Sequence, residues 1–407
     1  MDRREFLLGS FAAMAAGATA KARADEPAAP AVGTEQMIGA SVFEVRPYAQ
    51  LLEEDEIGLC WLTSVPATGY VTWSQDGWKT ERRSWLQRDG LRDSNTRVHR
   101  AVIAEFNPRL PLLWRAHSRP IASFGGYRIE YAGDEVTVEG KLKPLCPDSS
   151  RLSFAMVNDV HTHVENYPPL MDCVKEPVDF TVFAGDILTE TSSEDALKRG
   201  LLAPLAYVTE RTGAPCWYLR GNHETRGNFS RRFRDYLLLK QGHFYGGVTI
   251  GPARIVFIDT GEDKRDDHKE YFGMTDFEGY LDEQARWLRR EMTREDWRSA
   301  KFRIAVQHIP AKPATDLPRL KRLTQLLIDG GAQAMFAAHW HRQGYYEPCP
   351  ERPFPMVVGG GHSLGDKKET HQPTLTRCDI AGDTMRIRQF FAASGKLACD
   401  HTVNARA

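Results

Sequence analysis

The chain has 407 residues, 42% hydrophobic and 26% charged, an ordinary globular composition. That excludes a disordered polymer, a collagen-like repeat and a small disulfide-stapled domain. With 53 basic and 54 acidic residues the formal net charge is −1, so no nucleic-acid or acidic-lipid surface is marked. The length predicts two domains. After residue 24 no run of about 18 apolar residues exists, so no membrane span is expected in the mature form.

Residues 1–24 read MDRREFLLGSFAAMAAGATAKARA. A charged start precedes an apolar stretch from Phe6 to Ala20, and Ala22-Arg23-Ala24 offers small residues for cleavage before Asp25. Arg3-Arg4 followed by Phe6-Leu7 resembles the twin-arginine export signal of bacteria, with Asp2 where Ser or Thr is usual. The resemblance implies the Tat export machinery as a partner and a periplasmic or secreted location. Cleavage would remove four basic and two acidic residues and take the net charge from −1 to −3. Residues 25–35 (DEPAAPAVGTE) read as a linker.

From 36 to 145 the signals are strand-like. Ile57–Leu62, Gly69–Trp73, Val98–Val102 and Tyr127–Tyr131 are rich in aromatic and β-branched residues, with Pro, Gly and Asp between them. No helix longer than two turns is predicted, and a small all-β sandwich fits the size. Residues 144–151 (PLCPDSSR) read as a boundary. Beyond it, over 150–400, apolar runs alternate with helical stretches. The runs are Leu152–Val157, Phe180–Ala184, Pro215–Leu219, Ile255–Ile258, Phe302–Val306 and Ala334–Ala338. Helices are predicted over 193–211 with Ser193 as N-cap, over 277–291 with Leu281 and Trp287-Leu288 on one face, and over 317–329. The pattern is α/β (α+β). Seven cysteines contain no CxxC pair, so a thiolate zinc site is not expected; in an oxidising compartment some would pair and at least one stays free.

Five apolar runs end in residues that carry chemistry. They deliver Asn158-Asp159-Val160-His161, Gly185-Asp186, Arg220-Gly221-Asn222-His223-Glu224, Gln307-His308 and His339-Trp340-His341. In open α/β sheets, ligands bind beyond the carboxyl ends of strands. A lone DxH or HxH is usually a satisfied polar pair; five such elements in order are not. Seven oxygen or nitrogen donors without sulfur favour hard to borderline divalent ions. Seven are too many for one open catalytic ion, whereas one bridging carboxylate would give two ions four donors each.

The order D-x-H, G-D, G-N-H-E, H and H-x-H resembles the calcineurin-like metallophosphoesterase superfamily over about residues 150–390. The resemblance implies a metallophosphoesterase β-sandwich flanked by helices. It implies that Asp159, His161, Asp186 and His341 hold one metal, that Asp186 bridges, and that Asn222, His308 and His339 complete the second site. The cofactors would be two divalent metal ions (Mn, Fe or Zn). His223 would stabilise the phosphoryl oxygens or protonate the leaving group. Ions about 3.5–4 Å apart would hold a bridging water as hydroxide for in-line attack on phosphorus. Ala338 stands where the family usually has Gly.

The stretches Gly69–Trp73 and His99–Ile103 resemble the fibronectin-III-like domain that precedes purple acid phosphatase catalytic domains, over about residues 40–145. The motifs depart from a true purple enzyme: Asp159-x-His161 replaces Asp-x-Gly, and Thr189 occupies the position of the metal-binding Tyr. They depart also from serine/threonine protein phosphatases, since Thr162 follows His161 and no Val-Asp-Arg-Gly follows Asp186. The reading is an exported DxH-type phosphoesterase acting on a small-molecule phosphoester, phosphatase or phosphodiesterase. The alternative is a non-catalytic exported binding protein using the β-sandwich domain.

Arg226 is a candidate phosphate contact, and Phe244-Tyr245 could stack on a leaving group, although a solvated Arg and core aromatics are the simpler readings. His268 reads as part of a solvated loop. His163, His243 and His362 read as structural, and Trp61 and Trp73 as core.

Overall fold

Between residues 43 and 142 the β-branched and aromatic residues build strands and no helix. The main ones are β1 (Phe43–Glu53), β2 (Glu56–Ser74), β3 (Ser94–Ala104), β4 (Leu112–Phe124) and β5 (Val136–Leu142). The structure is a computed structural model that describes residues 42–146, 148–312 and 316–405. The export signal (1–24), the linker (25–35) and residues 36–41 lie outside the described residues. Two of the predicted strands, 57–62 and 69–73, are halves of the single strand β2. Its first half pairs with β1 and β3, and its second half with β4. Over residues 112–120 of β4 burial alternates residue by residue, the signature of a sheet with one packed face. Trp61 is fully buried and Trp73 nearly so, both as core.

The remaining strands divide between two sheets. β6 (Arg151–Val157), β7 (Phe180–Ala184) and β8 (Cys216–Leu219) pair parallel in a 13-stranded sheet. β9 (Gly246–Ile250), β10 (Ala253–Ile258), β11 (Phe302–Gln307), β12 (Ala334–Ala337), β13 (Gly344–Tyr346) and β14 (Met356–Val358) form a second sheet of six. In it β10, β11, β12 and β14 run parallel. β15 (Thr374–Ala381), β16 (Thr384–Phe391) and β17 (Leu397–Asn404) extend the large sheet beyond β6. β1 pairs parallel with β8 at Gln50 and Cys216, so the N-terminal strands continue the same sheet.

The period of 2 along each strand builds the layers. Leu152, Phe154 and Met156 of β6 join Ile255 and Phe257, Ile304 and Val306, and Phe336 in one core between the sheets. Phe154 meets Phe336 edge-on at 5.1 Å, and Trp217 stacks on Phe257 at 4.0 Å. Ala155 and Val157, on the opposite face of β6, pack with Leu201, Leu205 and Val208. Val256, Ile258 and Ala305 pack with Leu281, Leu288 and Leu323. The part beyond residue 150 is thus two sheets face to face with helices outside each.

The predicted helices are found. Ser193 accepts a hydrogen bond from Ala196 N and caps a helical run that passes through a π turn (Lys198–Leu202) into α1 (Ala203–Thr212). Gly213, at φ 64°, stops it. α2 (Phe277–Glu291) is capped by Asp276, and α3 (Pro318–Asp329) starts with proline at its first position. Among the described residues no helix is long and apolar enough to cross a membrane. The expected cysteine pairing does not occur: all seven cysteines are unpaired. Five are buried and behave as small apolar side chains, and burial pushes the thiols of Cys60 and Cys216 up to about 12.

Candidate metal centre

The carboxyl ends of five parallel strands meet at one edge of the sandwich. β6 delivers Asp159 and His161, β7 Asp186, β8 Asn222 to Glu224, β11 His308, and β12 His339 and His341. The donor atoms of Asp159, His161, Asp186 and His341 lie within 4.8 Å of one another, and so do those of Asp186, His308 and His339. Asp186 belongs to both sets. The Asn222 amide oxygen stands 3.1 Å from His339 Nδ1, beside the second set. All seven residues singled out from the sequence as metal donors are therefore brought together.

The backbone is bent to achieve this. Asp159, His161, Asp186, His339 and His341 all have φ between 47° and 68°. Such left-handed conformations cost about 1–3 kcal/mol each in residues with side chains and persist only when neighbours hold them. Here the holding bonds run between the loops. Asp159 N donates to Gly185 O (3.0 Å), His161 N to Asp186 O (2.9 Å), His339 N to Asp159 Oδ2 (2.9 Å) and His223 N to Asp186 Oδ1 (2.8 Å). Gly221 must be glycine, since a Cβ there would lie 2.3 Å from Asp186 N and Oδ1.

Glu224 ties the same loops together from below. It is fully buried, and its carboxylate accepts four backbone N–H groups, from Asp186, Ile187, Leu188 and Gly221, at 2.7–3.0 Å. Asn158 Nδ2 donates to Asp159 Oδ2 at 2.7 Å. His339 Nε2 faces Asp263 Oδ2 at 3.4 Å; that contact first, then burial acting against it, leaves the Asp263 carboxyl lowered to about 2. Neither Glu224 nor Asp263 was assigned a role from the sequence. The GNHE spacing marks Glu224, but nothing local marks Asp263, which lies in the stretch read as a solvated loop.

Two imidazoles are oriented by carbonyls. His308 Nδ1 sits 2.8 Å from Ala184 O and His223 Nδ1 2.7 Å from Thr189 O. Each Nδ1 therefore carries the proton and turns Nε2 toward the centre. Burial alone would raise the Asp186 carboxyl, but His308 Nε2 at 3.1 Å more than offsets it and holds it below the usual range. Burial would likewise lower His308, and the Asp186 charge outweighs it and raises the imidazole. His161 is pushed down to about 4, chiefly by burial.

The donor set suits cations on its own chemistry. Two buried carboxylates need charge compensation. Asp159 Oδ1 is buried without a hydrogen bond, although His341 Nε2 stands 3.3 Å away. The Asn222 oxygen faces Asp186 Oδ2 (3.2 Å), His339 Nδ1 (3.1 Å) and His308 Nε2 (3.3 Å), while its nitrogen faces the Arg226 guanidinium at 2.9 Å. For hydrogen bonding alone the amide would sit better reversed. An oxygen turned into a ring of acceptors is the orientation a cation selects. Two carboxylates, four imidazoles and one amide, without sulfur, match hard to borderline divalent ions.

The other predicted residues divide. Arg226 lies beside the centre: its guanidinium meets Glu262 Oε1 at 3.2 Å and His223 Nε2 at 3.3 Å. Phe244 and Tyr245 are buried packing residues, with Phe244 stacked on Phe233 and Tyr245 hydrogen-bonded to Glu283. His268 caps the turn Lys269–Tyr271, and His243 stacks on Tyr245. His362 is not remote: its ring lies 5.0 Å from His161 and 5.2 Å from His341, with His163 stacked on it at 5.1 Å. The local signal for it is a histidine after the apolar run Met356–Val358. Ala338 is buried and donates its N–H to His308 O without displacing a donor.

Residues 152–343 match the family model described as Calcineurin-like phosphoesterase. No curated protein sequence matches the chain. Among solved structures, the chain is similar to a purple acid phosphatase, PPD1, isolated from yellow lupin (Lupinus luteus) seeds. That pair has a TM-score of 0.64 at 12% identity, over 88% of this chain and 74% of that one. It is similar also to PhoD, with a TM-score of 0.57 at 13% identity, over 89% of this chain and 88% of that one. At such identities the two neighbours speak for the fold, and both reach across the N-terminal β region. With the matched region carrying the strand-end donors described above, residues 152–343 are a calcineurin-like phosphoesterase domain.

Proposed function

We propose that the protein is an exported phosphoester hydrolase with two divalent metal ions, held by Asp159, His161, Asp186 and His341 on one side and Asp186, Asn222, His308 and His339 on the other. The observation that carries this reading is the pair of donor sets sharing the buried Asp186. When bound, the ions supply Lewis-acid stabilisation of the phosphoryl group and a water acidic enough to attack near neutral pH.

The chain's own residues do the rest. His223 is anchored at Nδ1 by the Thr189 carbonyl, so Nε2 is the atom available to hold a proton for the leaving oxygen. Arg226 offers positive charge beside it for the phosphoryl oxygens. Glu262, fully buried, holds that guanidinium in place. Thr189 stands where purple enzymes carry a metal-binding Tyr, and its hydroxyl donates to His161 O (2.8 Å) rather than offering a phenolate. The twin-arginine pattern at Arg3-Arg4 supports export to the periplasm, and residues 36–145 are read as a fibronectin-III-like module.

The test is turnover of a chromogenic phosphomonoester and of the matching diester by the chain supplied with Mn, Fe or Zn, with Asn222→Ala as the blank. A preference for either substrate assigns phosphatase or phosphodiesterase. No turnover above the blank, together with no bound metal, overturns the enzyme reading.

A further inference from the structure

β14 lies beside β12 and parallel to it, so its carboxyl end opens onto the same edge as His339 and His341. The chain leaves β14 through Gly359-Gly360-Gly361-His362. The glycines let the chain pass where no side chain fits. A Cβ at Gly359 would lie 1.9 Å from Asn158 Oδ1, and one at Gly360 would lie 1.9 Å from Gln372 O. Asn158 in turn binds Asp159. The run thus slides under a metal-donor loop and delivers the next side chain to the centre. Buried Asn166 fixes the arrival by donating to His362 O at 2.8 Å. His163 stacks on the imidazole at 5.1 Å and 17°, which fixes its plane.

The imidazole so placed is left without a hydrogen-bond partner at Nδ1, although that atom is buried. A buried ring nitrogen costs free energy unless something binds it. A ring nitrogen of His362 lies within 4.8 Å of ring nitrogens of His161 and His341. His161 Nε2 and His341 Nε2 stand 2.9 Å apart, so a proton can serve those two alone, and a cation shared by the three rings would also serve the unpartnered His362.

We propose that His362 is an additional metal-ligating side chain, joining His161 and His341 at the site these two form with Asp159 and Asp186. The inference rests on the phosphoesterase reading of that centre. The resulting set of three imidazoles and two carboxylates favours borderline ions and leaves less room for water at that ion than at the other. The two ions then differ in exchange and affinity, the His362 side being the tighter.

The experiment is titration of the metal-depleted full chain with cobalt(II), read by chelator competition and by the visible absorption of the bound ion. The expected result is two ions in the wild type and, in His362→Ala, weakening of one site beyond the roughly 10–100-fold that loss of a merely orienting residue costs. Its absorption should also intensify as coordination number falls. His362→Gln, close in size, should weaken the same site with the circular dichroism unchanged. His163→Ala, which removes only the stacking ring, should keep both ions. Wild-type affinity and spectrum in His362→Ala and His362→Gln would overturn the proposal, even if turnover fell. The metal-centre reading would stand in that case, provided that Asp186→Asn loses both ions. No cobalt uptake by the wild type would overturn both.

Discussion

Replacing Glu224 by Gln tests whether the centre is held together by one buried carboxylate. Oε1 of Glu224 accepts from Ile187 N (2.7 Å) and Leu188 N (3.0 Å), and Oε2 from Asp186 N (3.0 Å) and Gly221 N (2.9 Å). Gln keeps the shape and turns one oxygen into an NH2 group. Whichever oxygen is lost, two backbone donors then face a donor. Each stranded buried donor costs about 1–3 kcal/mol, so the expected destabilisation is about 2–6 kcal/mol. Burial first, then the Asp186 charge, raises the Glu224 carboxyl above the usual range, so the comparison belongs at alkaline pH, where the carboxylate is ionised. Urea unfolding followed by circular dichroism gives the free energy, with exposed Glu190→Gln as the control. Because Asp186 N is one of the stranded donors, metal affinity should fall as well, by about 10–100-fold. A loss below about 1 kcal/mol with unchanged metal affinity would refute the reasoning.

Asn222→Ala and His223→Ala should each lower turnover by about 10²–10⁴-fold while leaving the unfolding midpoint of the metal-free chain close to wild type; near wild-type rates in either variant would sink the assigned site. Chelation should lower the thermal midpoint, and Zn or Mn should restore it in proportion to occupancy, as scanning calorimetry would record. His99 is buried against Trp61 at 5.3 Å, and burial pushes its imidazole down to about 4. The unfolded chain then binds more protons between the two values, so this contribution is intact above about 6.5 and is lost as pH falls through about 4, up to about 3 kcal/mol. His99→Gln should flatten the measured stability across that window. Replacing Arg3 and Arg4 by Lys should leave the protein in the cytoplasmic fraction; unchanged export would argue for a different signal.

Short-range chemistry explains what was legible from residue order alone. An apolar run followed at once by Asp, His or Asn is local, so β6, β7, β8, β11 and β12 and their seven donors could be read in order. Ser193 as a helix cap and the helices near 277–291 and 317–329 follow from equally local rules. Other features depend on where distant segments meet. Asp159 holds the backbone of His339, 180 residues away, only because two sheets stack through Phe154 and Phe336. The joining of β1 to β8 is a single register pair and has no sequence signature. Whether cysteines pair is likewise set by where distant segments meet, and all seven stay unpaired, five of them buried. Asp263 and His362 belong to the centre by approach in space, the first across a charged loop and the second along a glycine run. Residue order alone shows which atoms could bind metal and which strands would carry them. Sheet stacking sets which donor atoms come within reach of one another, which backbone amides restrain them, and which histidine left over by the motifs faces the same space. Spacing along a chain sets chemistry within a few residues, whereas the distance between strand ends is set by sheet stacking and by left-handed turns.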